Sequence, residues 1–258
     1  MKLIIQSLPL ALLSLALVFT TATGRAADER CFELRTYYAA PGKLDALVAR
    51  FRDFTWKCFE KHGMTNIGYW VPIENPDNKL VYVLAYPNRE VATASWKAFM
   101  ADPERQAWFK KSEENGKLIE KMDSVFMKAT DFSPEVKPCC ATPPRTFQLR
   151  IYKASEKHLP NLLARFRDHT CKLFEQHGIS NVAYWTPTDA KDGADDTLIY
   201  IVAHKSKEAG VASFNEFRAD PEWVKVKADS EKAAGGSLTV KDGVKAVYMQ
   251  PTDFSPTR

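Results

Sequence analysis

The sequence predicts an α+β fold in which two ferredoxin-like βαββαβ repeats pack sheet to sheet into a pseudo-dimeric α/β barrel. Three observations lead to this prediction. The chain contains one segment twice, and both copies show the same order of strand-like and helix-like patterns. Each copy alone would also leave one face of its sheet uncovered, and a second copy in the same chain covers it.

The duplication is clear from direct alignment. Residues 32–72 and 147–187 align at a constant offset of 115, and 22 of the 41 positions are identical. The segments EKHGMTNIGYW and EQHGISNVAYW are nearly the same, and both copies close with TDFSP. A match of this extent indicates internal duplication, so we assign repeat 1 to residues 32–134 and repeat 2 to residues 147–256. The proline-rich segment 135–146 between them is predicted to be a linker.

The elements of repeat 1 follow from periodicity. Residues 32–38 alternate and are rich in strand-forming types, which predicts a strand. Apolar residues then recur at spacings of three and four from Leu44 to Phe59, which predicts an amphipathic helix that ends at Gly63. Asp102 and Pro103 are typical of a helix N-cap and first turn. The remaining predicted elements are strands at 65–71 and 80–86, a broken helical stretch at about 90–120, and a last strand at about 124–130.

The first residues predict export. Lys2 precedes an apolar run that gives way to small and polar residues, the pattern of a secretory signal peptide at residues 1–26. We therefore expect a periplasmic or secreted protein with no membrane span after cleavage. Five cysteines then enter an oxidising compartment, and a bridge from Cys31 to Cys139 or Cys140 is one pairing that the sequence leaves open.

Charge excludes one class of partner. Removal of Lys2 and Arg25 leaves 34 basic and 32 acidic residues, a net charge of +2. So balanced a surface gives no footprint for nucleic acid.

No cysteine–histidine spacing typical of zinc occurs, and no metal site is predicted.

The repeated motifs carry a family resemblance. FELRTYYAAPGKLDAL, the HG-x-x-N/V-x-Y/F-W turn and the ADPEW-type helix start together resemble the NIPSNAP family, over nearly all of the mature chain. The resemblance implies the dimeric α/β-barrel superfamily. It supplies no catalytic residues, and the same barrel hosts haem binders, monooxygenases and cofactor-free enzymes, so fold alone does not choose among them.

Two strand pairs are candidate ligand-binding residues. In the first strand of each repeat, Arg35 and Tyr37 lie on the face opposite Phe32, and Arg150 and Tyr152 occupy the matching positions in repeat 2. If the apolar face meets the helices, the arginines face the barrel interior, where each needs a carboxylate or an anionic ligand. Glu33 is available in repeat 1 but Gln148 replaces it in repeat 2, so Arg150 is expected to be the freer arginine. A structural ion pair is the alternative for both.

Four further residues are repeated candidates. His62 and His177 suit a haem ligand or a general base, but the glycine after each favours a role at a helix end. Trp70 and Trp185 are predicted to share a strand face with Asn66 and Asn181, beside Gly68 and Ala183. They either shape a ligand cleft or lie flat against the sheet.

These observations predict an exported barrel that binds a small-molecule ligand or a protein partner, with no defined catalytic residues. The alternative is a cofactor-independent enzyme, or a haem-binding or monooxygenase-type protein, of the same superfamily. The enzyme hypothesis predicts that Arg35 or Arg150, a tyrosine and a histidine meet at one pocket. No cofactor is predicted, haem remains open, and oligomerisation beyond the internal pseudo-dimer is not defined.

Overall fold

The computed structural model describes residues 28–258, so the predicted signal peptide lies outside the described residues. Both repeats show the predicted βαββαβ order, and each predicted helical stretch is divided into two α-helices. Repeat 1 comprises β1 (Cys31–Ala39), α1 (Leu44–Arg50), a π-helical segment (Phe51–Thr55), α2 (Trp56–Lys61), β2 (Thr65–Pro72), β3 (Lys79–Tyr86), α3 (Arg89–Ala101), α4 (Pro103–Ser112) and β4 (Ile119–Ala129). Repeat 2 comprises β5 (Thr146–Ala154), α5 (Leu159–Arg165), a π-helical segment (Phe166–Thr170), α6 (Cys171–Gln176), β6 (Ser180–Pro187), a 3-10 turn (Ala190–Asp192), β7 (Thr197–His204), α7 (Lys207–Ala219), α8 (Pro221–Ala234) and β8 (Thr239–Pro251).

The predicted helix ends are confirmed. The Asp102 carboxylate accepts hydrogen bonds from the backbone N–H groups of Glu104 and Arg105, and Asp220 caps α8 in the same way. Gly63 follows α2 with a φ of +76°, a left-handed conformation that favours glycine.

The eight strands form one closed antiparallel barrel in the order β1-β3-β2-β8-β5-β7-β6-β4. Each repeat contributes its last strand to the seam. Strand β8 pairs with β2, where Trp70 lies opposite Pro251, and β4 pairs with β6, where Ala129 lies opposite Trp185. The two sheets therefore close on each other as a pseudo-dimer, as predicted.

The predicted orientation of the first strands is wrong. Phe32 and Leu34 point into the barrel, where they form a core with inward side chains of both repeats. Arg35 and Tyr37 instead face the helices, and Arg150 and Tyr152 do so in repeat 2. The reason is solvation, because the space between two closed sheets is filled with apolar side chains, whereas the gap between sheet and helices opens to water.

A bulge corrects a second prediction. Pairing of β2 with β3 shifts register between Asn66 and Gly68, so Asn66 leaves the Trp70 face. Its side chain turns toward the helices and donates to the backbone oxygen of Trp56 at 2.9 Å. Asn181 does the same with Cys171. Trp70, Trp185 and Ala183 belong to the core inside the barrel.

The repeated TDFSP motif joins the repeats. The Ser255 hydroxyl accepts a hydrogen bond from the backbone N–H of Tyr69 at 2.9 Å, and Ser133 accepts one from Tyr184 at 3.0 Å. Each serine follows the last strand of its own repeat and contacts the other repeat. The motif therefore links each repeat to the other through a hydrogen bond, which explains why both copies contain it.

Candidate functional site: two clefts between sheet and helices

Each repeat has one cleft between the outer face of its sheet and its helices. The cleft of repeat 1, called the first cleft, has a volume of about 430 Å³, and the second cleft, in repeat 2, about 650 Å³. Arg35 and Tyr37 line the first cleft, and Arg150 and Tyr152 line the second. The sequence prediction thus brings the correct pairs together, but on the outer side of the barrel.

Arg150 is the central cation of the second cleft. Its side chain is buried, with the residue 9% exposed, and it donates from Nε to the Tyr200 hydroxyl at 2.9 Å and from Nη2 to the Tyr152 hydroxyl at 3.0 Å. Phe214 packs against the guanidinium, whose carbon lies 4.3 Å from the ring centroid. Within residues 28–258 no acidic side chain forms an ion pair with Arg150, so its charge is balanced only by neutral hydroxyls. Burial raises the pKa of Tyr200 well above its usual value and keeps it neutral.

Unsatisfied polar atoms lie behind Arg150. Gln148 and His204 are each 3% exposed, and neither Gln148 Oε1 nor the two ring nitrogens of His204 have a hydrogen-bond partner. Burial, and then the nearby Arg150 charge, lower the pKa of His204 to about 4, so the ring is neutral near pH 7. Buried polar atoms without partners are rare, and His204 lies close enough to Arg150 for its charge to lower the histidine pKa.

Repeat 1 fills the matching region with its own carboxylate. Arg35 donates from Nη1 to Glu33, which is 1% exposed. The carboxylate also accepts hydrogen bonds from the Tyr86 hydroxyl at 2.7 Å, from the Trp96 indole at 2.7 Å and from the Ser124 hydroxyl at 2.6 Å. Arg35 is therefore fully neutralised, and the expectation that Arg150 is the freer arginine agrees with the contacts.

Repeat 2 lacks this entire arrangement. The residues at the positions of Glu33, Tyr86, Trp96 and Ser124 are Gln148, His204, Phe214 and Ala246. The acceptor has lost its charge, and two of its three additional donors are replaced by residues without side-chain polar groups. The substitutions act together, which leaves Arg150 without an internal counter-ion.

A second buried arginine borders each cleft. Arg50 and Arg165 precede the π-helical segments, where the hydroxyls of Thr55 and Thr170 bond back to their backbone oxygens at 3.2 and 3.1 Å. Neither arginine was among the predicted site residues, because the sequence RFRD, at 50–53 and 165–168, is typical of a solvated helix face. Both side chains are nevertheless buried, at 3% and 6% exposure.

The repeated histidines lie outside both clefts. His62 Nε2 lies 2.8 Å from Asp102 Oδ2, and His177 Nε2 lies 2.7 Å from Asp220 Oδ2. Since both aspartates also cap the following helices, each histidine links one helix end to the next helix start. The proposed ligand role of the histidines remains a prediction, and this geometry favours a structural role.

Trp70 and Trp185 line neither cleft. Each is 1% exposed and belongs to the core inside the barrel. A Cβ at Gly68 would lie 2.4 Å from the Trp70 ring, so the glycine allows the ring to lie against the strand. This is the structural alternative that the sequence left open.

The sulfur atoms offer no clear chemistry. The structure leaves the five cysteines unpaired, so the bridge from Cys31 to Cys139 or Cys140 is not formed. Cys58, His62 and Asp102 have ligand atoms within 4.8 Å of one another. Burial raises the pKa of Cys58 to about 11, and Lys61 Nζ lies 2.9 Å from Asp102. A protonated thiol and a competing ammonium do not suit a metal ion.

The comparison with protein families identifies the chain. The NIPSNAP family model matches residues 32–134 and 147–256. The chain belongs to the NIPSNAP family. It carries two copies of the domain, as the internal duplication predicted. A comparison with curated proteins finds no match.

Solved structures share the barrel. An anthrone oxidase-like protein is 10% identical, covers 90% of this chain and 95% of its own, and has a TM-score of 0.58. A monooxygenase-like protein from Fusobacterium nucleatum is 11% identical, covers 88% of this chain and 93% of its own, with a TM-score of 0.53. A NIPSNAP family protein of unknown function from Agrobacterium tumefaciens is 24% identical over 41% of this chain and 93% of its own, with a TM-score of 0.37. At these identities the likeness to the first two structures shows the fold alone.

No helix within residues 28–258 is long and apolar enough to cross a membrane.

Proposed function

We propose that this NIPSNAP protein is exported and binds a small organic anion in its second cleft. The observation that carries the proposal is Arg150, a buried cation whose hydrogen-bond partners are two tyrosine hydroxyls. A buried guanidinium is unfavourable unless a negative charge accompanies it, so a ligand anion would complete the site.

The residues that line the second cleft indicate the chemistry of the part of the ligand beyond its anionic group. Phe214, Phe217 and Trp223 provide aromatic surface around the approach to Arg150. A volume of about 650 Å³ suits a small molecule with an apolar body. Glu33 marks where a negative group sits in the equivalent region of repeat 1, so a carboxylate is the favoured head group.

The first experiment is native mass spectrometry of the mature protein purified from a periplasm, with a visible absorption scan of the same sample. A bound mass that is lost on unfolding would identify the natural ligand, and a Soret band would identify haem. The mass of the unfolded chain would also report whether residues 1–26 have been removed.

The decisive experiment is calorimetric titration with an aryl carboxylate such as 4-phenylbutyrate. Loss of one charge-assisted hydrogen-bonding partner is worth about 1.5–3 kcal/mol, so Arg150→Gln should bind at least about tenfold more weakly. Gln148→Glu should weaken binding similarly, because it supplies Arg150 with the internal carboxylate that Arg35 already has.

Lys225→Gln is the matched control. Lys225 lies on α8 but outside the cleft, where it pairs with Asp229, so its loss should leave the affinity unchanged. Circular dichroism and melting temperature verify folding of each variant. Equal affinity of Arg150→Gln and the wild type would contradict the proposal.

The alternative is a cofactor-independent oxidative enzyme. The enzyme hypothesis predicted an arginine, a tyrosine and a histidine at one pocket; Arg150 and Tyr152 line the second cleft, and the names of two structural neighbours refer to an oxidase and a monooxygenase. His204 is 3% exposed and does not line the cleft, so it has no access to a ligand. Binding is therefore favoured. Oxygen uptake in the presence of an anthrone, lost in His204→Tyr, would support the enzyme instead.

A further inference from the structure

The first cleft contains two arginines that its internal carboxylate does not reach. Arg50 is 3% exposed, and its Nη1 donates to Glu113 Oε1 at 3.0 Å, while Nε and Nη2 have no partner. Arg105 Nε is also buried without a partner. Both side chains line the cleft, so three donor groups lack acceptors there.

The two guanidiniums converge on one ring. The guanidinium carbon of Arg50 lies 4.2 Å from the Phe109 centroid, and that of Arg105 lies 3.8 Å from it. Burial lowers the pKa of both arginines, and for Arg50 the neighbouring Arg105 charge lowers it further. Two cations thus lie against one aromatic ring, and the single partly exposed glutamate pairs with Arg50 alone, a costly arrangement without a further anion.

The rim adds charge of the same sign. Lys110 and Lys117 are exposed residues of the same cleft, and Glu113 is its single acidic lining residue. The inner position is closed, since Arg35 is occupied by Glu33. An incoming anion would therefore lie further out, at Arg50 and Arg105.

Repeat 2 differs at this place. Arg165 corresponds to Arg50 and has Glu231 Oε1 at 3.7 Å, but Trp223 occupies the position of Arg105. Its indole ring lies 5.2 Å from the Arg165 guanidinium carbon. The paired cations are therefore specific to repeat 1 and form a site distinct from that of Arg150.

We propose that the first cleft binds a phosphate monoester, with the phosphate group between Arg50 and Arg105 and the lysines at the rim. Three unpartnered guanidinium donors and two further cations suit an oxyanion with several acceptor oxygens and more than one charge better than a single carboxylate. The apolar cleft residues Phe99, Met100 and Met122 would contact the esterified group.

The test is calorimetric titration of the mature full-length protein with phenyl phosphate and, separately, with benzoate. Phenyl phosphate should bind at least about tenfold more tightly than benzoate at this cleft, the equivalent of one charge-assisted hydrogen bond. Arg105→Trp, which introduces the residue that repeat 2 carries, should weaken phenyl phosphate binding by at least about tenfold. Arg105→Gln should weaken it too and serves if the tryptophan variant does not fold.

Lys225→Gln is again the control, since Lys225 pairs with Asp229 and lines neither cleft. It should leave phenyl phosphate binding unchanged. Binding that survives both Arg105 substitutions, or that is lost in Lys225→Gln alone, would overturn the proposal.

A second experiment distinguishes a lipid phosphate from a soluble phosphate ester as the ligand. Co-sedimentation with phosphatidic acid vesicles, compared with phosphatidylcholine vesicles, reports a lipid head group. Vesicle binding that Arg105→Trp abolishes would support the site with a lipid as ligand, and binding of phenyl phosphate alone would support a soluble ester. Absence of binding to both probes would overturn it.

Discussion

One side-chain difference, glutamate against glutamine, separates the environments of Arg35 and Arg150. Glu33 accepts from Arg35, Tyr86, Trp96 and Ser124, whereas Gln148 leaves its amide oxygen unpartnered. At the scale of single residues the two repeats have therefore diverged in charge while keeping the same fold. The sequence identified this difference in advance, because the two residues align in the duplicated strand.

Glu33→Gln should destabilise the protein. Arg35 would stay buried without its counter-charge, and breaking a buried ion pair lowers the free energy of unfolding by about 3 kcal/mol. Urea denaturation measures the change. The matched variant Gln148→Glu supplies a charge to Arg150 and should not lower stability. Equal losses in the two variants would contradict the assigned role of Glu33.

His204 should make stability depend on pH. Its pKa is lowered to about 4 in the folded state, against 6.5 for an unperturbed histidine, so the unfolded chain binds the proton more readily. The stabilising contribution is complete above pH 6.5 and is lost as pH falls toward 4, by about 3 kcal/mol at pH 4. Denaturation at several pH values tests this.

His204→Tyr, which introduces the residue of repeat 1, is the control for that measurement. It should remove this part of the pH dependence. An NMR titration of the wild type that shows His204 titrating near pH 6.5 would contradict the lowered pKa.

At the scale of elements, strands and helix ends could be predicted, but side-chain direction could not. Periodicity located β1 and the Asp102 cap, yet the face of β1 that enters the barrel depends on what the other repeat brings to it. The bulge beside Asn66 turns that side chain to the opposite face, and a π-helical turn widens the helix after Arg50. A period of two or 3.6 residues cannot reveal such local insertions.

The π-helical segments should depend on their threonines. Thr170 bonds the backbone oxygen of Arg165 at 3.1 Å, an oxygen that the widened turn frees from its usual partner. Thr170→Val keeps the shape and removes this bond, which should cost about 1 kcal/mol in urea denaturation. Thr55→Val is the matched change in repeat 1 and should cost a similar amount. No effect from either would mean that the widened turn does not need the hydroxyl.

At the scale of the whole molecule, duplication is what closes the barrel. Two ion pairs also connect repeat 1 to repeat 2, as the serine hydrogen bonds do. They run from Arg52 to Asp253 at 2.8 Å and from Arg167 to Asp131 at 2.7 Å. These contacts could not be predicted, because they join residues about 200 and 36 positions apart that become neighbours only in the closed barrel. The architecture itself could be predicted, since one uncovered sheet face requires a partner.

The isolated first repeat should therefore behave differently from the full chain. A fragment of residues 28–140 would expose Phe32, Leu34 and Trp70, whose interior partners include Phe147 and Leu149 of repeat 2. Burial of each large apolar side chain is worth about 1.5–3 kcal/mol, so the fragment should pair with a second copy and not persist as a folded monomer. Light scattering after size-exclusion chromatography measures its mass, with the full chain at the same concentration as control. A cooperative, folded monomer would contradict the inference that the two sheets stabilise each other.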